Sequence, residues 1–107
     1  MAEIVIVLTT MPNDERADEL ARTLVAERLA ACVNAHAAAM RSTYRWKGQV
    51  ECEAERQIVI KTTKARLDAL EKRLRELHPY ELPEFVVLDA RASAAYAGWV
   101  TEETRSG

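Results

Sequence analysis

The sequence predicts an α+β fold: a ferredoxin-like βαββαβ sandwich with a long central hairpin and a short C-terminal helix. Three observations point there. Two stretches carry apolar residues at helical spacing, each preceded by an unbroken apolar run that reads as a buried strand. Between them, roughly residues 31–62 alternate with a period of two around Lys47-Gly48, the pattern of a hairpin. The resulting order of strand, helix, two strands, helix, strand is the split βαβ plan.

The run 4–8 is continuous Ile and Val ending in Leu, so it reads as a strand covered on both faces. Residues 9–13 read as a turn and helix start, with Asn13 as N-cap and Asp14 and Glu15 favoured by the helix dipole. Ala17, Leu20, Ala21, Leu24, Val25 and Leu29 form the first helical stripe, and Arg16, Glu19, Arg22 and Glu27 form a solvated face. A strand opens at Ala31-Cys32-Val33 and continues through the alanines at 37–39 to Trp46, with Gly48 supplying the positive φ of a tight turn. On the return arm Val50, Cys52 and Ala54 alternate with Glu51, Glu53 and Glu55, where Arg41 and Arg45 can face the acids. Each arm has about 14 residues, about 45 Å of strand, so the tip overhangs its own domain. Thr63 caps a second helix with the stripe Leu67, Leu70, Leu74 and Leu77. The last strand spans 85–88, and Ser93 starts a final helix bearing Tyr96, Trp99 and Val100.

At 107 residues the chain is one domain, 1–107. Its 15 Lys and Arg against 17 Asp and Glu give a net charge of −2, which offers nucleic acid or an anionic membrane no strong field. The run 4–8 is too short to span a bilayer or serve as a signal peptide, so the expectation is a cytoplasmic protein with Cys32 and Cys52 free. With three glycines spread along the chain there is no phosphate loop, and His36 and His78 bring no nucleophile–base spacing, so no enzyme is expected. The runs 4–8, 58–60 and 85–88 place apolar residues on both sheet faces, and helices cover only one. An oligomer burying the second face follows, with Tyr44 and Trp46 of the hairpin and Trp99 at its contacts.

His78-Pro79-Tyr80-Glu81-Leu82-Pro83-Glu84 joins the second helix to the last strand. The prolines stiffen it, and it displays an imidazole, a phenol and two carboxylates. His78 is the foremost metal-ligand candidate, since imidazole suits Cu(II) and Zn(II); in its other role, a histidine in a last helical turn caps terminal carbonyls. Glu81 and Glu84 read either as further ligands or as solvated loop acids. Tyr80 reads either as a pocket donor or as a loop anchor. Cys32 suits soft metals but sits in an apolar setting, and Lys61 at a strand end suits an anion or an interface carboxylate.

Taken together, Thr9-Thr10-Met11-Pro12, Glu27-Arg28-Leu29-Ala30-Ala31-Cys32-Val33-Asn34, Ser42-Thr43-Tyr44-Arg45-Trp46-Lys47-Gly48, Ile60-Lys61-Thr62-Thr63, the 78–84 stretch, and Tyr96 with Trp99 resemble the CutA family of divalent-cation tolerance proteins. The resemblance implies a compact homotrimer in which edge strands pair across subunits, a link to copper and other divalent metals, and a likeness to trimeric PII signalling proteins. Some members carry a cysteine at the position of Thr9 and a second histidine at the position of Leu77, both treated as copper ligands; this chain keeps His78 alone. The leading expectation is a homotrimer binding Cu(II) or another divalent metal at inter-subunit clefts through His78, Glu81 and Cys32. The alternative is a PII-like signalling or scaffold trimer binding a small anion or protein partner, where Tyr80, Lys61 and Glu84 matter instead.

Overall fold

The computed structural model describes residues 1–106. Strand β1 (Ala2–Pro12) is followed by helix α1 (Arg16–Ala26), then strands β2 (Cys32–Ala35), β3 (Met40–Trp46) and β4 (Gln49–Thr62). Helix α2 (Leu67–Leu77), strand β5 (Val86–Ala92) and helix α3 (Ala94–Glu103) complete the chain. The sheet runs β2–β4–β1–β5, with β3 alongside β4 beyond β2, and every pairing is antiparallel. This is the expected ferredoxin-like arrangement, with the first hairpin arm split in two.

The split has a visible cause. Ala35 pairs with Ile58 and Met40 pairs with Glu55, so the four residues 36–39 cover the interval that 56–57 cover on β4. The alanines at 37–39 are therefore a bulge, not the flat strand expected. An insertion of two keeps the inside–outside alternation on both sides of it. The His36 amide still donates to the Gln57 carbonyl at 3.0 Å.

Alternation sorts the side chains. Val5, Val7, Thr9 and Met11 point toward α1 and α2, where Leu20, Leu24, Leu70, Leu74, Ile58 and Ile60 close the main core. Each such fully buried side chain is worth about 1.5–3 kcal/mol relative to exposure. On the opposite face Ile4 packs with Ala31, Ala97 and Val100, so α3 covers one end of that face. The rest stays open, with Val86 43%, Leu88 46% and Trp99 45% exposed. One short helix does not suffice to cover the second face.

β1 also runs further than its apolar run suggests. Residues 9–12 pair with 55–58 instead of turning, because β-branched Thr9 and Thr10 gain ladder hydrogen bonds that a turn would forfeit. Asn13 is consequently not the cap of α1; its Oδ1 accepts from Arg56 Nε at 3.0 Å. Asp14 takes the capping-type role instead, accepting from the Arg16 amide at 3.0 Å and from its guanidinium. That guanidinium holds the Asp14 carboxyl down at about 2. Thr63 precedes a 3-10 turn (Lys64–Arg66) and makes no side-chain cap, whereas Ser93 Oγ accepts from the Tyr96 amide at 3.2 Å as expected.

Candidate functional site

The overhanging hairpin and the 78–84 segment enclose an open groove of about 1100 Å³. Lys47 (φ 49°) and Gly48 (φ 80°) form the two-residue turn at the tip, both in the left-handed region required when Trp46 pairs directly with Gln49. Behind the tip, register decides which side chains line the groove. Ser42 lies opposite Glu53 and Tyr44 opposite Glu51, on the same face as Glu55, Gln57, Val59 and Lys61. Arg41 and Arg45 lie opposite Ala54 and Val50, on the other face. They therefore do not meet the hairpin acids, and among the described residues neither makes an ion pair. Among the described residues Glu51, Glu53 and Glu84 make no ion pair, although Arg45 also lines the groove, and a hydrogen bond to Glu53 pushes the Tyr44 phenol up.

The groove floor is a closed hydrogen-bond network. His78 ends α2 with its backbone extended (φ −81°, ψ 135°), the conformation that Pro79 imposes on the residue before it. Its ring is 8% exposed. Nδ1 accepts from the Tyr80 amide at 3.1 Å, so Nε2 carries the proton and donates to the Thr10 carbonyl at 2.7 Å. Tyr80 then turns its hydroxyl onto Glu55 Oε2 at 2.7 Å, and Thr10 Oγ1 donates to the same oxygen at 3.1 Å. Burial, with the carboxylate beside it, pushes the Tyr80 phenol up. Burial holds the His78 imidazole below its ordinary 6.5, and the hydrogen bond to Thr10 only partly offsets it.

These contacts place each candidate. His78 offers no free nitrogen lone pair, so its geometry is that of a structural tie. Glu81 is exposed and pairs with Lys47 at 3.5 Å, which joins segment and hairpin tip. Glu84 lines the groove. Cys32 lies opposite Lys61 on β4, six residues from Glu55 and hence about 20 Å away, beside Tyr96. The structure does not bring His78, Glu81 and Cys32 together, and among the described residues no three His, Cys, Asp or Glu side chains converge to hold a metal ion. Lys61 donates to Asn34 Oδ1, away from the groove. Tyr44 and Trp46 line the groove, while Trp99 stacks near Tyr96 with ring centres 5.5 Å apart. Both thiols are free; Cys32 and Cys52 lie on opposite faces, about 30 Å apart along β4, beyond reach of one another.

Glu55 and Thr10 were not singled out by the sequence. Glu55 resembles its neighbours Glu51 and Glu53 yet is 6% exposed, because the sheet and Tyr80 close over it. Counting back by twos from Val59 puts it on the groove face, which is the one signal available.

Sheet order, hairpin and acidic groove define a ferredoxin-like protein with an open cleft between hairpin and loop. Within that class, the chain belongs to the family described as CutA1 divalent ion tolerance protein, which matches residues 5–103. It is 42% identical to the divalent-cation tolerance protein CutA of Thermus thermophilus over 100 residues, covering 92% of this chain and 96% of that one. It is 36% identical to the Pyrococcus horikoshii protein of the same name, covering 95% and 99%. It spans about half (54%) of human protein CutA at 40% identity. The solved T. thermophilus divalent cation tolerance protein superposes with a TM-score of 0.90 at 41% identity, covering 95% of this chain and 99% of that one. The PII-like protein CutA of Nostoc superposes with 0.87 at 40% identity, covering 94% and 97%.

Proposed function

We propose that the chain forms a homotrimer in which the acidic groove lies at each subunit cleft and takes divalent cations on carboxylate oxygens. One observation carries this reading: Glu51, Glu53 and Glu84 line the groove and make no ion pair among the described residues. Carboxylates favour hard cations such as Mn(II) and give Cu(II) a weaker hold than an imidazole–thiolate set. The trimer is supported by the open apolar strip of the second sheet face, which includes Val86 and Leu88. An anionic ligand fits the groove less well, since its lining sets Glu51, Glu53, Glu55, Glu81 and Glu84 against Arg45 alone and Lys61 is engaged with Asn34. The protein acts by binding and not by turnover, in a reducing cytoplasm that keeps the exposed Cys52 a thiol.

Calorimetric titration with Mn(II), Zn(II) and Cu(II) tests the reading. Saturable binding near one ion per subunit is expected for the native protein. It should weaken at least tenfold in Glu51→Gln/Glu53→Gln and persist in His78→Ala that remains folded. A trimer with no saturable binding, or one whose binding disappears only with His78→Ala, overturns it.

A further inference from the structure

The floor of the groove is a chain of contacts through His78, Tyr80 and Glu55. His78 is fixed from two sides: its Nε2–H points at the Thr10 carbonyl of β1, and its Nδ1 receives the Tyr80 amide. The ring also lies against the Tyr80 ring, with centres 4.7 Å apart at 55°. Tyr80 in turn carries the segment's principal attachment to the hairpin, the hydroxyl on Glu55. Beyond it the segment is held to the tip by one exposed ion pair, Lys47–Glu81. An exposed pair of this kind contributes little. Of these links, the bond from the Tyr80 amide to Nδ1 is the one that a proton placed on the ring breaks directly.

We propose that His78 is a proton-operated latch: neutral, it holds residues 79–84 against β1 and β4; protonated, it releases them and opens the groove floor. Adding a proton to Nδ1 sets N–H against the Tyr80 N–H, two donors at 3.1 Å where one must move. Nε2 still donates to Thr10, so the ring stays with β1 and the 79–84 segment is what leaves. Its departure takes the Tyr80 hydroxyl off Glu55 and exposes a carboxylate that is now 6% accessible. Glu55 on β4 favours the charged ring, Arg16 at the start of α1 opposes it, Thr10 on β1 accepts in either state, and Tyr80 is the group displaced.

The sign follows from burial, which lowers the affinity of the closed form for a proton. With the Tyr80 amide gone the ring takes up a proton more readily than in the closed form, so the closed form is favoured above the ordinary imidazole value of about 6.5. Below it, opening becomes about tenfold easier per pH unit until the closed form itself protonates. The latch does not depend on what the groove binds, and its test uses no metal.

The test is amide hydrogen exchange and ring ¹⁵N chemical shifts of the native protein between pH 7.5 and 5, with exchange corrected for the intrinsic chemical rate. At neutral pH the shifts should report the Nε2–H tautomer. As pH falls below 6.5, protection at Tyr80 and its neighbours should drop by about tenfold per unit while core amides of β1 hold theirs. In His78→Gln, whose amide does not titrate, any protection of the segment should be independent of pH. Tyr80→Phe keeps the ring and its amide contact but loses the grip on Glu55; its segment should open at higher pH than the native one. An Nδ1–H tautomer, an imidazole that titrates with unchanged Tyr80 protection, or a pH response retained in His78→Gln each overturns the proposal.

Discussion

Thr9 carries the one buried side-chain polar atom without a hydrogen-bond partner among the described residues. Its hydroxyl is fully buried on the helix-facing side of β1, between Val7 and Met11. An unsatisfied buried hydroxyl costs about 1–3 kcal/mol, and valine fills the same shape without it. Thr9→Val is therefore expected to raise the unfolding free energy by about 1 kcal/mol, read as a higher denaturant midpoint at unchanged slope. An equal or lower midpoint would show that the hydroxyl is satisfied in solution. This residue also shows where sequence reasoning stops. Thr9 sits in an unremarkable Thr-Thr pair, and only the register against Ile58 and Gln57 reveals that Thr9 faces the core and Thr10 the groove. His78 was legible as important and ambiguous as to role, because a ring nitrogen's partners come from segments 68 residues away and two residues away at once.

At the scale of elements, most of what was read correctly rests on periodicity, and most of what was misread lies at element ends. Leu20, Leu24, Leu70 and Leu74 are buried as their spacing requires, whereas Val25, expected on the first stripe, is 42% exposed. The Lys47-Gly48 turn is the one Gly48 announced. Asn13 does not cap the first helix because the ladder runs on to Pro12 and Asp14 takes the contact with Arg16, and Thr63 caps nothing because a 3-10 turn follows it. The end of α1 held no sequence signal at all. There Arg28 adopts φ 60°, while the Leu29 amide bonds the Leu24 carbonyl and the Arg28 amide the Val25 carbonyl, a Schellman closure usually given to glycine. Arg28 is tolerated because its guanidinium bonds the Glu102 and Arg105 carbonyls at 2.8 and 3.0 Å, clamping the end of α3. Arg28→Ala and Arg28→Gly should both accelerate amide exchange near the end of α3. The glycine variant should be more stable than the alanine variant by about 1 kcal/mol, since it alone relieves the left-handed backbone. Equal stabilities would mean that the backbone there carries no strain, and unchanged exchange would mean that the clamp does nothing.

For the whole molecule the decisive feature is the uncovered half of the sheet. The chain measures 44 × 25 × 24 Å, elongated as expected if the hairpin projects beyond the two-layer body. On the second face Ile6 pairs across β1 and β5 with Leu88, and Leu8 with Val86, so an apolar strip continues from the α3-covered end toward the groove. The hairpin extends that face with acids on one side, while Arg41 and Arg45 project from its other side, giving one copy two surfaces of opposite charge. In the proposed trimer such unlike surfaces would meet head to tail in a closed ring, and not back to back as in a two-fold dimer. Leu88→Glu buries an unpartnered charge at each contact of such a ring, a penalty of several kcal/mol per site. The expected result is a drop of about threefold in mass by light scattering, to the 12.0 kDa of one chain, with the circular dichroism of the folded subunit retained. Trp46→Ala, altering the hairpin instead of the strip, should weaken assembly without abolishing it. Persistence of the full assembly in Leu88→Glu would move the contact off the sheet face and onto the hairpin.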